Sequence, residues 1–176
     1  MSSSVEKPDT RPTMENTFEI TAELRAQFDV ESEPWPYEVT TTGVRAFARG
    51  VGYTDEIYYD LDVARTNGHN GLPGPPCYLG TPVYHPARSD EVFSVPQGTG
   101  PRPRYGLTNV LDGGTEIHYE RPLESGETLM ASDRLIDLQS KQSKSLGQVV
   151  IVTTEATFRD AAGCVVARER SQYILY

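Results

Sequence analysis

Proton transfer near neutral pH needs imidazoles, carboxylates or thiolates held close together. This chain offers three histidines (His69, His85, His118) and two cysteines (Cys77, Cys164). No two histidines have metal-ligand spacing such as i, i+4, so no metal site is expected. No CxxC pair exists, which argues against a zinc ribbon or a thioredoxin-type site. Both cysteines read as small buried hydrophobes. His69 lies between Gly68 and Asn70 in a turn-rich run, and His85 precedes Pro86. Each is more simply a loop-bonded or solvated side chain than a functional group. His118 falls in a strand pattern and reads as sheet packing. Among the carboxylates, Asp60 has the spacing of a helix cap before Leu61. Asp55 reads as a turn carboxylate ahead of a base. Asp55 and His69 remain the weak catalytic candidates.

The elements that must position these residues follow from periodicity. Thr21 is placed to cap a short helix with Leu24 and Phe28 four apart, and the prolines around Trp35 enforce an extended path. Thr41 or Thr42 is placed to cap a longer helix, where Val44, Phe47, Ala48 and Val51 form one apolar stripe. Arg45 and Arg49 lie opposite that stripe, and Gly52 stops the helix. A second helix runs from an Asp60 cap to Gly68, whose missing Cβ suits a left-handed stop. Residues 73–103 hold eight of the 13 prolines. At most a short helix fits at Cys77–Tyr84, and Pro86–Tyr105 reads as a loop. Loops of that length are often lids or binding loops. Thr115–Glu120, Thr128–Leu138, Val149–Phe158 and Val165–Leu175 read as strands, the third with clear period-2 alternation. Asp160–Gly163 is a hairpin connection. Helices first and an antiparallel meander after them make an α+β fold.

Composition sets the outer bounds. The 176 residues fit one domain with one sizeable core. Residues 1–15, rich in Ser, Pro and charge, read as a disordered leader, with a single domain over 16–176. The net charge is −9, of which −6 sits in residues 1–40. An acidic chain argues against nucleic acid and anionic membrane as partners. No apolar run reaches a membrane span and the first residues lack a signal-peptide core, so a cytoplasmic location with reduced thiols is expected.

Several stretches resemble the MaoC-like hydratases and dehydratases. They are Val51–Asp60 (VGYTDEIYYD), Asn67–Pro76 (NGHNGLPGPP), and Glu120–Leu123 followed by Ser125–Leu129, which looks like that family's "RPL…GDTL" stretch. The resemblance runs from about residue 18 to the end and is closest to the N-terminal-type half of two-part dehydratases. It implies a hot-dog fold, a curved antiparallel sheet wrapped around one helix. It also implies that such units pair, with acyl-thioester sites at the seam. The chemistry implied is reversible hydration of a 2-enoyl thioester by an Asp and a His within an Asp-x-Asn-Pro-x-His stretch, with no cofactor.

At those positions this chain departs from the pattern. The Asp falls on Tyr53, the Asn on Asp55, the Pro on Glu56 and the His on Tyr58. A phenol with a pKa near ~10 is a poor base at neutral pH. The expectation is therefore a non-catalytic subunit of a heteromeric hydratase or dehydratase. A second MaoC-like chain would supply the Asp/His pair. This chain would supply dimer seam and pocket wall, with Tyr53, Tyr58, Gly74, Pro75, Pro76 and Tyr78 against an acyl-CoA or acyl carrier protein thioester. The prolines imply a shortened central helix and a pocket widened for bulky, steroid-like acyl groups, as in the similar hydratases of steroid side-chain breakdown. Arg102 and Arg104 are candidates for CoA phosphates, although a solvated loop is the simpler reading. Two alternatives stay open. One is a self-sufficient homodimeric hydratase or thioesterase using Asp55 or His69. The other is a non-enzymatic acyl-binding scaffold.

Overall fold

A computed structural model describes residues 18–79 and 105–176. The leader expected over 1–15, most of the expected central helix and the loop bearing Arg102 and Arg104 lie outside these residues.

Five strands form one antiparallel sheet: β1 (Trp35–Glu38), β2 (Val110–Tyr119), β3 (Thr128–Ser143), β4 (Gly147–Arg159) and β5 (Val165–Leu175), in the spatial order β1-β3-β4-β5-β2. This is the α+β arrangement expected. Register shifts at Asp112/Gly114, Leu135/Asp137 and Phe158/Arg159 mark bulges. A bulge puts an extra residue on one strand, so the strand bends and its twist increases. β2 is longer than the pattern predicts: it starts at Val110, and Asp112-Gly113-Gly114 is a bulge inside the strand. β3 also runs past Leu138, since Gln139–Ser143 pair with β4 while their polar side chains stay in water.

Three short helices accompany the sheet: α1 (Ala22–Arg25), α2 (Thr41–Val51) and α3 (Leu61–Thr66). The cap of α2 is Thr40, one residue before the predicted threonines; its hydroxyl accepts from Gly43 N at 2.9 Å. Val44 and Ala48 are buried and Phe47 packs beside them, but Val51 is 55% exposed and leaves the stripe. Gly52, at φ 86°, ends the helix as expected. Asp60 caps α3 through Asp62 N and Val63 N, and Gly68 takes φ 89°.

The core has two parts. One joins Trp35, Tyr37, Val44, Leu72, Leu129 and Phe158, with the Tyr37 and Phe158 rings 5.2 Å apart edge to face. The other joins Leu138, Val150, Val152, Tyr173 and Leu175, closed by Phe18, Phe28 and Tyr105.

Both cysteines are exposed, contrary to expectation. Cys77 follows buried Pro75 and precedes buried Tyr78 and Leu79, so the turn between these anchors faces it outward. Cys164 closes a tight turn whose backbone bonds to Asp160 Oδ1 at 2.9 Å, and it is exposed at that hairpin tip. His118 is also exposed, because it alternates with Ile117 and Tyr119, which pack on the core, and so points to the other face; its Nε2 lies 3.7 Å from Glu120. No described helix is long and apolar enough to cross a membrane.

Candidate functional site

Tyr53 and Tyr58 sit just beyond the C-terminus of α2. Gly52 in its left-handed conformation turns the chain, and Tyr53 N donates to Ala48 O at 2.9 Å. A single 3-10 turn follows at Glu56–Tyr58, capped by Asp55 Oδ1, which accepts from Ile57 N at 3.1 Å. The turn is tied down twice more. Tyr59 donates its hydroxyl to Tyr53 O at 2.6 Å, and Arg45 places Nε and Nη2 on Tyr59 O at 2.9 and 2.7 Å. The rings of Tyr53 and Tyr58 are thereby held side by side, centroids 5.3 Å apart and planes inclined at 51°. Burial first, then the neighbouring Tyr53 and Asp55, pushes the Tyr58 hydroxyl above its usual pKa. Tyr58 therefore keeps its proton at neutral pH and is no base. Asp55 is engaged in its cap.

The stretch 67–79 meets the stretch 120–127, some fifty residues away. Pro73 and Glu124 form an antiparallel bridge. Gly74 N donates to Leu123 O and Ser125 N to Leu72 O, both at 2.8 Å. Ser125 Oγ accepts from Leu72 N at 2.8 Å. Gly71 is required here, because a Cβ would run into the Ser125 carbonyl oxygen. His69 Nδ1 lies 3.1 Å from Glu124 Oε1, while Asn70 N and Nδ2 both reach Glu124 Oε2 at 3.2 Å. Burial alone would raise the Glu124 pKa, but these bonds and the His69 charge bring it below the usual value. Glu124 N in turn donates to Glu127 Oε1 at 2.7 Å, and Glu127 is gripped by Arg121 with contacts of 3.2 and 2.8 Å.

The expected substrate-facing residues thus divide. Tyr53 is 37% exposed and Pro76 is exposed, but Tyr78 is only 3% exposed and stands edge-on to Phe47 at 5.7 Å. Pro75 is fully buried and Gly74 packs against Leu123 and Tyr78. Pro76 O accepts from Tyr119, whose hydroxyl burial pushes up to about 12. Sequence reasoning missed Arg45, Arg121, Glu124 and Glu127 as the residues that fix these loops. Arg121 and Glu127 fall within the quoted stretches, Arg45 showed only as the polar side of the α2 pattern, and Glu124 carried no local signal. Among the described residues no cluster of three His, Cys, Asp or Glu is placed to hold a metal.

A family model described as "FAS1-like, dehydratase domain region" matches residues 26–169. The UPF0336 protein Lxx02810 of Leifsonia xyli is 30% identical over 128 residues, 73% of this chain and 78% of its own length. A probable enoyl-CoA hydratase alpha subunit of Thermomonospora curvata is 24% identical; the match covers 72% of this chain and 41% of that one. Among solved structures, a MaoC-like dehydratase superposes with a TM-score of 0.63 at 23% identity, covering 86% of this chain and 43% of that one. The ChsH1-ChsH2 complex of Mycobacterium tuberculosis gives 0.61 at 22% identity, covering 83% and 88%. The chain therefore spans less than half the length of two of these four proteins.

Proposed function

Because this chain belongs to the family of FAS1-like dehydratase regions and is a MaoC-like hot-dog protein, we propose that it is the non-catalytic subunit of a heteromeric 2-enoyl-thioester hydratase or dehydratase. One observation carries this reading. Where the family pattern calls for an Asp and a His, the structure has two tyrosines packed on each other, with Asp55 bound into a turn. Reversible hydration needs one group to take a proton from water and another to deliver one to carbon. The Tyr53–Tyr58 turn offers neither, so a partner MaoC-like chain brings them. This chain contributes the seam and a wall of the acyl pocket. Support comes from the similarity to a two-chain complex and to half of longer dehydratases. The ligand is an acyl-CoA or acyl carrier protein thioester. The proline density of 73–103 in the sequence favours a bulky, steroid-like acyl group over a slim one, since prolines disfavour the long helix that would fill the pocket. The protein is proposed to act in lipid metabolism in the cytoplasm.

The test is an assay of 2-enoyl-CoA hydration by the purified chain, alone and co-expressed with a neighbouring open reading frame that carries an intact Asp-x-Asn-Pro-x-His stretch. Turnover only in the mixture is expected. Robust turnover by the chain alone would refute the reading.

One observation favours a second reading, a self-sufficient enzyme. Glu124 holds His69 Nδ1, the arrangement that orients an imidazole for proton transfer. If that reading holds, His69→Gln removes an activity present in the isolated chain.

A further inference from the structure

The turn after α2 is anchored more firmly than an exposed turn needs. Arg45 spends two N–H groups on one carbonyl, Tyr59 spends its hydroxyl on another, and Asp55 caps the turn between them. None of these bonds buries the two rings that they position. Tyr53 remains 37% exposed and Tyr58 is partly exposed. Among the described residues nothing hydrogen-bonds to either phenolic hydroxyl, whereas Tyr37, Tyr59 and Tyr119 each donate to a carbonyl. The chain thus holds an aromatic pair in a fixed pose and leaves both donors open. Val51, 55% exposed, lies two residues before Tyr53 and adds apolar surface. Ordered aromatic surface with unused donors is how sites for amphipathic small molecules are built: rings cover apolar carbon and hydroxyls fix polar atoms.

The charge around the pair narrows the ligand. Asp55 and Glu56 lie between the two tyrosines in sequence, and the Asp55 charge acts on Tyr58. On α2, Arg45 is committed to the Tyr59 carbonyl, and Arg49, four residues before Tyr53, is not among the charges that act on Tyr58. An anionic group would meet repulsion here, while a neutral acceptor oxygen would not. We infer that Tyr53 and Tyr58 form a recognition platform for the neutral carbonyl end of an acyl thioester, their hydroxyls donating to its oxygen and their rings covering the adjoining acyl carbons. This deepens the proposed function and rests on it for the ligand class. It gives the two tyrosines a positive role where an acid/base pair is absent.

The experiment uses a saturated, steroid-like acyl-CoA labelled with 13C at the thioester carbonyl, a ligand that hydration cannot consume. Isotope-edited difference infrared spectra are recorded with the full chain, alone and in complex with its catalytic partner. The expected result is a carbonyl band moved to lower wavenumber on binding. The shift is lost in Tyr53→Phe/Tyr58→Phe, which keeps both rings, with Kd weakened about 3- to 10-fold per hydroxyl. Tyr53→Leu/Tyr58→Leu should weaken binding further. A band at its solution position with wild type, or an equal shift in the Phe variant, overturns the inference. Neither outcome bears on the two-chain reading, which stands or falls on turnover by the mixture.

Discussion

Glu155 shows how one residue can tie strands together. It sits on β4 at 5% exposure, in register with Arg134 on β3 and Arg170 on β5. Its carboxylate meets Arg134 at 2.6 Å and Arg170 at 2.9 Å. Burial alone would raise its pKa, but the two arginines outweigh that and bring it below 4.5. A lowered folded pKa means that the unfolded chain takes up the proton more readily. The stabilisation is therefore complete above about 4.5 and is lost as pH falls through the folded value. Glu155→Gln should cost about 1–3 kcal/mol at pH 7, less than a fully buried pair because both arginines reach water. Urea midpoints should show a constant gap between variant and wild type from pH 7 down to about 4.5, closing at lower pH; a gap that stays unchanged on further acidification would reject the assignment. Gly71 carries a different constraint, one of space. Gly71→Ala sets a methyl against the Ser125 backbone, which cannot move without breaking the bonds to Leu72. A loss of about 1–3 kcal/mol is expected in chemical denaturation. A neutral result would show that the 67–79 and 120–127 stretches are not locked together.

At the scale of elements, the turn 53–60 is held to α2 from outside its own backbone. Arg45 and Arg49 both fall on the polar side of the α2 pattern, yet only Arg45 reaches the Tyr59 carbonyl. Arg45→Ala should leave α2 folded, because Thr40, Val44 and Ala48 are untouched, while releasing the turn. Hydrogen exchange at the Tyr58, Tyr59 and Asp60 amides, which bond to Asp55 and Glu56 carbonyls, should speed up about 2- to 10-fold. Exchange within β4 should not change. Equal acceleration in both places would mean that Arg45 supports the whole fold. α2 was legible in the chain because its apolar period marks one buried face. Strands β3 to β5 were legible as strands, but β4 departs from the expected alternation: Val149, Thr153, Glu155 and Thr157 are buried as well as Val150, Val152 and Phe158. The helix expected through Leu24 and Phe28 ends at Arg25 and buries no residue. The full length of β2 was not legible. It lies at the sheet edge with seven consecutive exposed residues, so no alternation marks it, and its glycines imitate a turn.

For the whole molecule, the two sheet edges differ. β1 is four residues long and contains Pro36, which has no N–H to offer a neighbour. β2 offers ten residues, with Val110 and Leu111 exposed. Long unprotected edges are where chains pair. If a partner chain docks as proposed, amides of β2 should exchange more slowly in the complex than in the isolated chain, with β1 unchanged. Its Tm should also rise with partner concentration, as for any ligand that binds only the folded state. Protection confined to β1 would place the seam elsewhere.

The chain's own order of residues determined that Asp60 would cap a helix and that Gly52 and Gly68 would turn left-handed. These outcomes depend on neighbours a few positions apart. It also determined that tyrosines stand at the expected acid/base positions. Tertiary structure alone decided that His69 and Asn70 would share Glu124, that Glu155 would fall between two arginines, and that both cysteines would face outward. Those facts depend on strand register and loop contact across tens of residues, where a shift of one position sends a side chain to the other face. No local pattern carries that information.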